Sequence, residues 1–120
     1  MTPEFLKDKP IYLQLVDRIC GEVIKGNLQV GEKMPSVREY AIESGVNVNT
    51  VQRVYKELET MCITETKRGQ GTYITEHHQR IQQLREDMKQ KLAQQFIQSI
   101  ESLGFTKQEM IDMLLKEDVR

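Results

Sequence analysis

Asn47-Val48-Asn49-Thr50-Val51-Gln52-Arg53-Val54-Tyr55-Lys56-Glu57-Leu58-Glu59 is the stretch on which the reading of this chain turns. Its apolar residues Val51, Val54, Tyr55 and Leu58 recur at i, i+3, i+4 and i+7, the spacing that gathers one face of an α-helix against a core. The opposite face carries Asn49, Thr50, Gln52, Arg53 and Lys56, and from Asn47 to Lys56 no residue is acidic. The pattern predicts a helix beginning near residues 47–49 and running to about Met61. Glu57 and Glu59 come only toward its far end.

Upstream, Ser36-Val37-Arg38-Glu39 is a capping box, in which the Ser36 hydroxyl caps a helix and Glu39 reaches back. That helix is short, from about Val37 to Glu43, because Ser44-Gly45-Val46-Asn47 breaks it and Gly45 suits a left-handed turn. Earlier still, Ile11, Leu15, Ile19 and Val23 repeat every four residues beside Tyr12, Val16 and Ile24. They predict a helix to about Lys25, with Asp8 as N-cap, Pro10 in the first turn and Gly26 at the end. Residues 26–35 read as a connector with room for one very short strand.

Downstream, Ile63-Thr64-Glu65-Thr66 and Thr72-Tyr73-Ile74-Thr75 alternate like strands around the hairpin tip Lys67-Arg68-Gly69-Gln70-Gly71. Two short helices joined by a tight turn, followed by a hairpin with a basic tip, make a winged helix-turn-helix. The expected fold is mainly α (α+β), with the winged module over residues 1–76 and a helical segment over 77–120.

Such a module places donors of its second helix in the major groove. Asn and Gln bond adenine edges, Arg bonds guanine, and Thr meets phosphate or a methyl group. Lys67 and Arg68 beside Gly69 let the wing approach a phosphate or the minor groove. Double-stranded DNA is the partner this arrangement suits. A winged module that binds proteins and has no DNA affinity fits the same pattern, and salt-dependent binding to a palindromic promoter fragment separates the two.

Overall charge gives the DNA reading no support. The 120 residues carry 17 Lys+Arg against 18 Asp+Glu, and residues 1–75 hold 10 of each sign. The argument rests on local placement. No apolar run reaches the ~20 residues that span a bilayer, and Met1 to Lys9 lacks the shape of a signal peptide, so a cytoplasmic location is expected. Cys20 and Cys62, outside any C-x-x-C spacing, read as small buried hydrophobes.

The tail differs in kind. Ile81, Leu84, Met88, Leu92, Phe96, Ile100 and Leu103 form one stripe on a long helix stopped by Gly104, and Thr106-Lys107-Gln108-Glu109 opens a second, short helix. The polar face is mixed in charge, which speaks against a membrane surface. Two helices hardly enclose a pocket in one chain. A homodimer interface along the stripe is expected, and that reading allows a small unidentified effector between subunits.

Catalytic and cofactor chemistry finds no footing. Glu76-His77-His78 lacks a third ligand at usable spacing and reads as a solvated linker. Gly69-Gln70-Gly71 is too short to cradle phosphates, and no linked nucleophile and base occurs. No cofactor, metal or enzymatic activity is expected.

Four blocks then stand in order: residues 10–15, residues 26–39, residues 46–59 and Arg68-Gly69-Gln70-Gly71-Thr72-Tyr73-Ile74. Together they resemble the signature of the GntR family of bacterial transcription regulators across nearly all of residues 10–75. The short two-helix tail is similar to that of the YtrA-like subfamily. One recognition helix per chain and a dimerising tail predict a homodimer on an inverted-repeat operator, with repression as the expected effect. The resemblance implies DNA contacts from Arg38, from Asn47, Asn49, Thr50, Gln52 and Arg53, and from Gly69. The chain departs from the family at Val48, where many relatives are basic, and at Gln52, where some have Arg. It also has Cys62-Ile63-Thr64 where the family usually has Gly-Leu-Ile, which suggests a slightly different helix ending.

Overall fold

The computed structural model describes residues 9–117. Helix α1 (Ile11–Lys25) turns Leu15, Val16, Ile19, Cys20 and Val23 into the core, as the four-residue repeat requires. Its start differs from expectation. Pro10, in extended geometry, is itself the N-cap residue and lies outside the first turn, without a side-chain cap. Its carbonyl accepts from the Leu13 and Gln14 amides, while Lys9 pairs with Asp17 nearly two turns inside the helix. Asp8, expected as the cap, lies outside the described residues.

Helix α2 (Val37–Ser44) begins on the predicted capping box and ends at Gly45 in the left-handed region. Helix α3 (Val48–Thr60) follows after three residues, with Asn47 as its cap. It is the hub of the domain, packing on α1, α2 and strand β1 (Thr64–Lys67). Val51, Val54 and Leu58 are fully enclosed there, so the helix's position is fixed by burial.

The end of α3 is a finding in itself. Cys62 has φ +62°, its N–H bonds to the Glu59 carbonyl, and the Ile63 N–H bonds to the Leu58 carbonyl. This is the same six-to-one closure that Gly26 gives α1 and Gly104 gives the fourth helix. The expected different helix ending is therefore absent. The chain keeps the glycine-type turn with a residue that has a Cβ, held in place by the burial of Ile63 and Leu58 against the core. The turn also pushes Cys62 to the surface, correcting the reading of both cysteines as buried; only Cys20 is.

Strand β1 pairs antiparallel with β2 (Gly71–Ile74) in the register Thr64–Ile74 to Lys67–Gly71. The connector adds a short third rung. Lys33 bridges Tyr73, with the Met34 amide on the Thr72 carbonyl and the Ile74 amide on the Glu32 carbonyl. Thr64 is buried and leaves its hydroxyl without a partner among the described residues.

Helix α4 (His78–Leu103) starts inside the first of two compact units, which extends to Leu84; the second begins at Arg85. In the first unit the Arg80 Nε donates to the Met61 carbonyl at 2.8 Å, and Leu84 is buried. In the second, Thr106 and Glu109 form the expected capping box of helix α5 (Lys107–Lys116). Of the stripe expected at a dimer interface, Leu84 and Ile100 are covered within their own chain, which corrects their assignment to a partner surface. Ile81 and Met88 are half-buried, whereas Leu92, Phe96 and Leu103 are exposed. Helix α5 adds Ile111, Met113, Leu114 and Leu115, all exposed and all outside the predicted stripe.

Candidate nucleic-acid interface

The first turn of α3 is organised by Asn47. Its side-chain oxygen accepts from the Asn49 N–H at 2.7 Å, which satisfies an end-of-helix donor and leaves the amide nitrogen as the outward group. Bidentate pairing with adenine needs both ends of the amide. Asn47 is thus a cap first, and Asn49 and Gln52, both exposed, are the full amides on this face. Thr50 is half-buried and Lys56 exposed.

Arg53 is placed differently from its neighbours. Its guanidinium carbon lies 3.8 Å from the centre of the Tyr12 ring on α1. Stacking of this kind fixes the plane of the group while leaving its in-plane N–H donors open. The side chain is pre-oriented by its contact with Tyr12.

Two tyrosines hold α2 and α3 in register. Tyr55 donates its hydroxyl to the Pro35 carbonyl at 2.6 Å, and its ring meets Tyr40 edge-on with centroids 6.0 Å apart. Burial raises the Tyr55 hydroxyl far above its ordinary pKa, so the donor stays protonated. Arg38, second residue of α2, is exposed next to this clamp. Beside it the Ser36 N–H and hydroxyl hold the Glu39 carboxyl below its usual pKa. The acid nearest Arg38 is therefore spent on the cap.

At the wing, the Gln70 N–H closes a turn on the Lys67 carbonyl at 2.8 Å, with Gly69 at φ +76°. Lys67 Nζ sits 4.6 Å over the Tyr73 ring. Between wing and α2 lies a cleft of about 610 Å³ walled by Lys33, Ser36, Glu39, Lys67, Arg68 and residues 69–71, among others. The structure thus brings Lys67, Arg68 and Gly69 to one opening, with Arg38 outside its walls. Lys33 was missed by the sequence reading. Its signal was present as a lone cation just before Met34-Pro35, but only the rung on Tyr73 carries it to the wing. A Cβ on Gly71 would stand 3.0 Å from the Lys33 Cε, so glycine there leaves room for the lysine stem.

Among the described residues, no group of three or more His, Cys, Asp or Glu side chains is gathered in metal-binding proximity. The His77 Nε2 lies 4.0 Å from a Glu65 carboxylate oxygen. No described helix is long and apolar enough to cross a membrane.

A helix-turn-helix whose outer face is free of acids from Asn47 to Lys56, followed by a wing with a basic tip, can now be compared with known proteins. The model of the bacterial regulatory proteins of the gntR family matches residues 11–74, more than half of the chain. The chain belongs to the GntR family. It is 42% identical over 112 residues to the HTH-type transcriptional regulator YhcF of Bacillus subtilis, covering 93% of each chain. With the transcriptional repressor YtrA of the same organism it shares 48% identity over 68 residues, 57% of this chain and 52% of YtrA. A GntR family regulator from Listeria monocytogenes superposes with a TM-score of 0.86 at 41% identity, over 95% of this chain and all of that one. The likeness to YhcF and to the Listeria protein includes the tail. This GntR protein is a DNA-binding helix-turn-helix transcriptional regulator, and the relatives named here are regulators.

Proposed function

We infer that two copies of this chain, joined through their helical tails, bind an inverted-repeat operator and repress the genes behind it. The exposed face of α3, free of acids from Asn47 to Lys56, is the observation that carries the reading. In this assignment Asn49 and Gln52 read base edges, Arg38 reads guanine from the start of α2, and Arg53 enters pre-oriented by Tyr12. Asn47, Thr50 and Lys56 hold the backbone, as do Lys67, Arg68 and Gly69 at the wing, with Lys33 behind them. The winged module (1–76) is the DNA-binding part and the tail (77–120) the dimerising part, meeting its partner through Ile81, Met88, Leu92, Phe96 and Leu103. YtrA, named as a repressor, supports the sign of regulation.

One recognition helix per chain makes one half-site, and joining two chains renders the second contact intramolecular. Such linkage gains ~10²–10⁴ in affinity. The tail also leaves room for a small effector between subunits.

The test is selection of genomic DNA fragments by the purified chain, followed by titration of those fragments at several salt concentrations. The expected result is a common sequence bound with a log K that falls linearly with log salt. Binding indifferent to sequence and salt would favour the protein-interaction reading.

A further inference from the structure

The outer face of α3 holds one residue without a polar side-chain atom. Val48, at the first helical position, is 40% exposed, whereas Val51 and Val54 are turned fully into the core. Val48 and Gln52 stand four residues apart on the same helix, so they form one row with Cβ atoms about 5–6 Å apart. The side chains on either side have other commitments. The Asn47 oxygen is occupied by the Asn49 amide, and the Arg53 guanidinium lies on Tyr12.

The major groove displays donors, acceptors and a single apolar group, the C5 methyl of thymine. A valine pressed against a guanine, adenine or cytosine edge strips water from polar atoms and returns no hydrogen bond, which is unfavourable. Against thymine it buries a methyl group instead. Gln52, one turn further along the row, has both ends of its amide available for the N6 and N7 of adenine. We propose that Val48 is a specificity-determining residue that packs on a thymine methyl, next to an adenine read by Gln52, once in each half-site. This inference rests on the placement of α3 in the major groove proposed above.

The experiment uses the full chain and the operator recovered by genomic selection, with each half-site thymine replaced in turn by deoxyuridine. That exchange removes only the C5 methyl and keeps base pairing. Wild-type protein is expected to lose about three- to fivefold in affinity at one thymine per half-site, the worth of one buried methyl group. Val48→Ala is expected to bind the normal operator more weakly and to be indifferent to the same exchange. Gln52→Ala is expected to keep the methyl dependence while losing preference for the adjacent adenine. Thermal melting verifies that both variants remain folded. Indifference of the wild type to every exchange, or an equal loss in Val48→Ala, would overturn the role of Val48 while leaving operator binding intact. Failure of the wild type to select any sequence would overturn the DNA-binding reading itself, and this inference with it.

Discussion

The two ends of this chain differ in how much of their apolar surface they cover, although Ile42 of the winged unit is itself 82% exposed. In the winged unit Leu15, Val51, Val54, Leu58 and Ile63 are completely enclosed. In the second unit Leu92, Leu103 and Leu115 are 69%, 69% and 80% exposed. Exposed apolar residues scattered singly are ordinary on soluble proteins, but a run of them along two successive helices marks a surface awaiting a partner. The winged unit has closed its own core, and the tail has not.

That contrast can be broken most forcefully in the tail. Leu92→Glu combined with Phe96→Glu in the full chain should convert a dimer to a folded monomer and weaken operator binding by ~10²–10⁴, as the linked second contact is lost. Light scattering and binding titration read both effects. A dimer with undiminished binding would put the interface elsewhere.

The converse change lies in the winged core. Leu58→Ala should destabilise the protein by about 2–5 kcal/mol in denaturant unfolding, because α3 packs there on three neighbours and the cavity cannot collapse. A small loss would mean that the unit is looser than its burial suggests.

Arg38→Ala is expected to be neutral for folding, since the side chain is exposed. It should cost ~1–3 kcal/mol on the cognate operator and relax preference at one position per half-site. Binding as tight as wild type would show that α2 does not meet the DNA. Smaller again is Cys62→Gly. Left-handed geometry costs a residue with a Cβ about 1–2 kcal/mol, and glycine returns about half of that as backbone entropy. The variant should gain up to about 1 kcal/mol in denaturant unfolding with operator binding unchanged; a loss of stability would show that Cys62 contributes packing.

Much of this was legible in the sequence, and the places where it was not share a cause. Periodicity located α1, α3 and α4, and the Ser36–Glu39 and Thr106–Glu109 boxes located two helix starts, because these signals are local. Cys62 misled because the turn is fixed by Leu58 and Ile63 entering the core, a tertiary demand that overrides the preference for glycine. Leu84 and Ile100 share a helical stripe with Leu92, and spacing alone cannot say which members the chain covers itself. Arg53 read as one more groove-facing cation, yet its position depends on Tyr12, some forty residues away. Lys33 entered the wing only through a pairing that the alternation of residues 63–75 did not contain.

The central claim is that two winged units, held as a pair, read an inverted repeat. Hydroxyl-radical footprinting on the selected operator tests it most directly. Two protected half-sites related by inversion, with centres ~10 bp or slightly more apart, are the predicted result. Protection of a single, unrepeated half-site at saturating protein would contradict it.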